Sequence, residues 1–213
     1  MKKVLVVLLF LCSAALETVG QDALVTKIRK QINRHPQSDT FRVNRLNQLA
    51  ALDIPASEKD SLSQQARRIS HILNYTIGEG FALINQASAA GLRGNQSEQL
   101  KDLQQALSIA EKIRNKPLLV IALMASSQAM ISTKNKLRLK LLMRADTIAE
   151  TLPDKKLLAS CQVAIAAFYE TSLSDYPKAM EWVLKSISTA EQINSLGNLA
   201  RAWTTLAQLY DDM

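Results

Sequence analysis

The residues able to do chemistry in this chain are few, and their spacing assembles none of the common reaction centres. His35 and His71 are its only histidines. Neither reads as having a second ligand one helical turn away, which a helix-borne metal site needs, so no metal is expected. Cys161 would require a neighbouring base and solvent access to act as a nucleophile. It stands in the apolar stretch Leu157 to Phe168 and is expected to be a buried packing thiol. The sequence contains no glycine-rich phosphate loop, serine nucleophile turn or paired-cysteine metal pattern. It therefore predicts no catalysis and no cofactor. The strongest charge feature is the run Lys134, Lys136, Arg138, Lys140 and Arg144. Lys136, Lys140 and Arg144 recur every four residues opposite Leu137, Leu141 and Leu142, as on the solvated face of an amphipathic helix. The sharper alternative is a surface for an anionic partner. Nucleic acid is not expected, because the run lacks interleaved aromatics and any recognised binding motif.

Any such residues must be positioned by repeated elements. Ala110-Glu111-Lys112-Ile113 returns as Ala149-Glu150-Thr151-Leu152 and Ala190-Glu191-Gln192-Ile193, after a degenerate Ser70-His71-Ile72-Leu73, at steps of 40, 39 and 41 residues. A fixed step of this size marks a unit that buries its apolar side by stacking on copies of itself. Pro36, Pro55, Pro117, Pro153 and Pro177, with Gly78, Gly80, Gly91, Gly94 and Gly197, are expected to fall between apolar periodic runs. The predicted helices cover 22–34, 39–53, 57–74, 78–92, 96–114, 117–134, 136–152, 155–173, 177–193 and 197–212. No segment shows sustained strand alternation. The small residues Ala106, Ala145 and Ser186 recur at 39 and 41, predicting close helix approach at one level of each unit.

The amino-terminal residues read differently. Lys2-Lys3 precedes an uncharged run from Val4 to Leu11 and then small or polar residues to Gly20, the form of a secretory signal. Extended through Leu16, the apolar stretch covers 13 residues, short of the ~20 that cross a bilayer as a helix. Residues 1–20 are accordingly expected to be a signal peptide, with the protein exported to a periplasmic or extracellular space. Membrane association is expected only if that segment is retained or the chain continues. Cleavage after Gly20 would leave 24 basic and 18 acidic residues and a single cysteine, so no intrachain disulfide forms. Residues 21–38, with Lys27, Arg29, Lys30 and Arg34, read as a solvated amphipathic lead-in.

Residues 39–213 carry a family resemblance. Trp203, Leu206, Ala207 and Tyr210 have the spacing of the tetratricopeptide repeat, in which an aromatic is followed at three, four and seven residues by Leu, a small residue and Tyr. Gln162, Ile165, Ala166 and Tyr169 repeat it 41 residues earlier, and Tyr176-Pro177-Lys178-Ala179 with Trp182 resembles the opening of that family's second helix. The period near 40 is similar to the longer repeats of exported sensory regions in bacterial signalling proteins. The resemblance implies an all-α fold, an α-α superhelix of antiparallel helix pairs, here four pairs A and B plus a fifth A helix. It further implies a non-catalytic protein–protein interaction scaffold whose A helices line an inner groove and bind a protein or peptide. Carried onto matching positions, the groove residues are Ser160, Val163, Ala167 and Glu170 in the fourth A helix and Arg201, Thr204, Gln208 and Asp211 in the fifth. Trp182 and Trp203, at motif positions, are expected to fill seams between helices. The alternative function is the extracytoplasmic sensory region of a longer signalling protein, a histidine kinase or helix-turn-helix regulator, of which this sequence is a part.

Overall fold

The computed structural model describes residues 21–130 and 134–213. The expected signal segment lies outside the described residues. Among the described residues the regular structure is helical, without strands. Helix α1 covers 21–34 and is followed by α2 (Thr40–Ala50), α3 (Ala56–Ile72), α4 (Thr76–Leu92) and α5 (Gln96–Lys112). Then come α6 (Lys116–Ala129), α7 (Asn135–Glu150), α8 (Lys156–Leu173), α9 (Tyr176–Gln192) and α10 (Leu196–Asp212). No described helix is long and apolar enough to cross a membrane.

Local chemistry sets a beat of twenty residues beneath the forty-residue repeat. From α3 onward the helices start at 56, 76, 96, 116, 135, 156, 176 and 196. Five of the turns contain a left-handed residue: Asn74, Gly94, Arg114, Ser174 and Asn194, with φ between 50 and 75°. That conformation folds the backbone onto the finished helix, so the next N–H reaches a carbonyl five residues back and satisfies an orphan acceptor. Tyr75 donates to Ser70, Asn95 to Ala90, Asn115 to Ala110 and Ser195 to Ala190 at 2.8 to 3.0 Å. The side chains of Asn95, Asn115 and Asp175 then cap the following helix by accepting from the N–H three residues on. Pro117 and Pro177 occupy first-turn positions, where their missing N–H costs nothing. Ser174 at φ 50° carries the Cβ penalty of this conformation. Ser174→Gly is expected to stabilise the second unit by about 0.5 to 1 kcal/mol, net of the added freedom of the unfolded chain, as a rise in denaturation midpoint.

The chain divides into two compact units, one ending at Ala106 and the other beginning at Leu107, within α5. In the first, Val25, Ile28 and Ile32 of α1 join Val43, Leu46, Leu49, Ile54, Ala66, Ile69 and Ala82 in one core. Helix α1 is therefore a packed layer of the fold and not a solvated lead-in, because its apolar stripe is wide enough to seat on α2. Its basic residues do face water, and Arg29 pairs with Glu58 at 2.7 Å. Helix α2 also lies beside α4. There the buried Asn47 amide donates to the Gly78 carbonyl at 2.9 Å, and Asn85 donates to the Asn47 carbonyl at 3.0 Å. Buried Lys59 closes the end of α2, its ammonium donating to the carbonyls of Ala50 (2.6 Å) and Leu52 (2.8 Å). Burial lowers its pKa.

In the second unit α6 pairs with α7 and α8 with α9, while α8 contacts α6 and α10 side by side. Even-numbered helices thus form the A layer in each unit, as the sequence predicted. Ala145 and Ser186 are fully buried, and the Ser186 hydroxyl donates to the Ala159 carbonyl at 2.8 Å. Cys161 is buried beside Met124, and burial, with Asp146 adding to it, pushes its thiol up to about 12. Packing, not nucleophilic chemistry, is the role that placement supports.

The glycines correct an expectation. Gly78, Gly80 and Gly91 lie inside α4 and Gly197 inside α10, instead of between helices. At Gly78 the reason is close approach, since a Cβ there would come within 2.5 to 2.7 Å of Tyr75, Val43 and Ser70.

Candidate functional site

Helices α8 and α10 lie side by side and parallel. Near their starts the Ser160 hydroxyl reaches Asn198 Oδ1 (3.3 Å), and the Asn198 amide donates to the Lys156 carbonyl (3.0 Å). Near their ends Asp212 interacts with Glu170. This register sorts the eight sequence-predicted groove residues into two groups. Arg201, Gln208 and Asp211 are exposed and Thr204 is half-buried on α10, one continuous strip at spacings of three and four. The Thr204 hydroxyl is turned back to the Ala200 carbonyl at 3.0 Å. On α8, Ser160 and Ala167 are half-buried, whereas Val163 (7 % exposed) and Glu170 (6 %) are buried.

The exposure expected of Val163 and Glu170 is thus corrected. Helix α10 covers that flank of α8, and Val163 joins Ala202 and Leu206 in the core between them. Burial raises the Glu170 carboxyl above its ordinary pKa, and Asp212 raises it further. Of the same positions 41 residues on, Asp211 is exposed and Thr204 half-buried, because among the described residues no helix lies beside α10 as α10 lies beside α8.

Two other sequence readings change. Asp39 does stand four residues after His35, and its carboxylate meets His35 Nε2 at 2.7 Å. That carboxylate is the N-cap of α2, accepting from the Arg42 N–H at 2.9 Å, and the Arg42 hydrogen bond, with His35 second, holds its pKa low. No group of three or more candidate metal ligands occurs among the described residues. Within the basic run, Lys136 and Lys140 are exposed and Arg144 pairs with Glu111 at 2.8 Å, as a solvated face requires. Arg138 departs from that pattern. Its guanidinium donates to the Ser127 carbonyl and the Ser172 hydroxyl and lies 5.0 Å over the Phe168 ring, tying α6, α7 and α8 together.

Comparison with solved structures finds a similar fold. The chain is similar to the crystal structure of the nearly identical TPR-like repeats of a protein described as a kinesin light chain from Podosopora anserina. The TM-score is 0.51, the sequence identity 14%, and the match covers 84% of this chain and 91% of that one. A single-residue variant of the same protein superposes at a TM-score of 0.54 and 14% identity, covering 84% and 90%. The fold is a tetratricopeptide-like repeat. No protein-family model and no curated protein sequence matches the chain.

The repeat register explains the two tryptophans. Trp182 is half-buried between α8 and α9, with the Lys185 ammonium 4.4 Å from its ring centre, and it fills a seam as expected. Trp203 does not, being 54 % exposed, with Tyr210 at 65 %. The counterpart of Trp203 in the preceding repeat is Gln162, which α9 covers and whose Oε1 accepts from Thr189 at 2.8 Å. Among the described residues nothing covers α10 in that way.

Proposed function

We propose that the protein is an exported, non-catalytic scaffold that binds a polypeptide along the A-helix surface of its second unit. The observation that carries this reading is the open strip Arg201, Thr204, Gln208 and Asp211 on α10, continued by Ser160 and Ala167 on α8. Arg201 and Asp211 place opposite charges ten residues apart, about 15 Å along the helix axis. Four or five extended residues of a ligand cover roughly that length. A segment with an acidic residue near Arg201 and a basic one near Asp211 complements the strip, with Gln208 between them as an amide for its backbone. Electrostatic matching of this kind fixes register and orientation more than it adds affinity. The test is partner capture by the mature chain against the double variant Arg201→Glu, Gln208→Ala. Reversing one charge and removing the central amide is expected to weaken capture at least about tenfold. Unchanged capture would remove these positions from the site.

A further inference from the structure

In the first unit α3 presents Gln64, Arg67, Arg68 and His71 toward Glu79 and Gln86 of α4, and these six side chains line a cavity of about 490 Å³. Their spacing of three and four on α3 puts the first four on one helical face. The Arg67 guanidinium is held from three sides. It donates to Gln86 Oε1 at 3.3 Å and to Gln105 Oε1 at 3.2 Å, and Glu79 Oε1 lies 3.6 Å from its Nε. All three separations exceed the ~2.7 to 2.9 Å of a full-strength charge-assisted bond, and two of the acceptors are neutral amides. Arg68 and His71 are exposed, and among the described residues their side chains make no hydrogen bond or ion pair. The cavity therefore holds guanidinium and imidazole donors in excess of its one wall carboxylate, Glu79. Asp60 lies nearby but is engaged by Arg93 at 3.3 Å and Gln64 at 3.2 Å, and the buried Asp102 of α5 offsets part of the Arg67 charge from behind, so Arg68 is the donor left for a ligand.

The geometry points to a carboxylate-binding site, in which a singly charged carboxylate takes paired N–H bonds from Arg68 and is flanked by His71 and Arg67. The planar guanidinium fork matches a carboxylate bidentately. With the Arg67 donors already engaged by Gln86, Gln105 and Glu79, the free Arg68 fork offers two coplanar N–H groups, which match the two oxygens of a carboxylate and leave the further oxygens of a phosphate without a partner. The carboxylate can belong to a free small acid or to an acidic side chain of a peptide. The site lies wholly within the first unit and does not depend on the α10 surface.

Side-chain Nε–H resonances of the arginines in the ¹⁵N-labelled full chain read this directly. The probes are sodium propionate, inorganic phosphate and a tetraglutamate peptide at constant ionic strength. Propionate is expected to shift the Arg67 and Arg68 signals saturably at millimolar concentration, more tightly than phosphate. Arg68→Gln, at an exposed position, should weaken binding at least about tenfold while leaving the fold intact. Lys136→Gln, on a basic face elsewhere, should change nothing. Tetraglutamate binding tighter than propionate assigns the site to peptide side chains, and equal binding assigns it to a free acid. No saturable shift, phosphate binding as tightly as propionate, or full affinity in Arg68→Gln would each overturn the proposal.

Discussion

Asp146→Asn is expected to stabilise the second unit by about 2 to 3 kcal/mol at pH 8 and by little near pH 4. Asp146 on α7 is 6 % exposed, and its Oδ1 is buried without a hydrogen-bond partner among the described residues. Burial raises its pKa from 3.8 to about 6; Glu150 adds to the rise and Lys185 opposes it. The folded pKa lies above the unfolded one, so the folded state holds the proton more tightly. The resulting stabilisation is complete below the unfolded value of 3.8 and is lost as pH rises through about 6. Above that the ionised carboxylate costs about 3 kcal/mol, less a little in the variant for the amide it leaves underbonded. Both tryptophans of the chain, Trp182 and Trp203, belong to the second unit, so denaturation followed by their fluorescence reports on it. The difference between wild type and variant isolates Asp146 from the other carboxylates. An equal difference at pH 4 and pH 8 would contradict the assignment.

Gly78→Ala is expected to destabilise the first unit by about 1 to 2 kcal/mol, although alanine is the better helix former by about 1 kcal/mol. The added methyl would sit 2.5 Å from Tyr75 Cδ1, 2.6 Å from Val43 Cγ1 and 2.7 Å from Ser70 Oγ. It would also push α4 off α2, where Asn47 donates to the Gly78 carbonyl. Val43→Ala removes one of the clashing atoms. Gly78→Ala combined with Val43→Ala should then cost less than the sum of the single changes, by about 1 kcal/mol. Hydrogen exchange across α2 to α4 measures both quantities. Additive costs would mean that α4 shifts freely and the close approach is not a constraint.

These positions show what a sequence can and cannot display. The forty-residue period was legible because it rests on residue size. Ala110, Ala149 and Ala190, like Ala106, Ala145 and Ser186, are fully buried where helices touch, and only small side chains fit there. The helix starts were legible too, each predicted within two residues of its place from α3 onward, but the turn geometry that sets them was not, because four of the five left-handed turn residues are not glycine. Gly78 reads as a breaker in isolation, and its helical role depends on Val43 and Ser70 from other helices. Of the groove residues, Arg201, Gln208 and Asp211 were placed correctly on the surface. Val163 and Glu170 were not, since the motif gives a position on a helix and not whether the next repeat closes over it. The cavity around Arg67 left no linear trace, because its lining is shared between α3 and α4 with Gln105 of α5 behind it.

The A-helix surface of the second unit is the proposed binding surface for a polypeptide. A photo-crosslinking residue introduced at position 208 on α10, and in a separate sample at exposed position 188 on α9, tests this most directly. Irradiation with the partner polypeptide is expected to give a covalent adduct from position 208 and none from position 188. Adducts from 188 alone, or from neither position while the partner still binds, would contradict it.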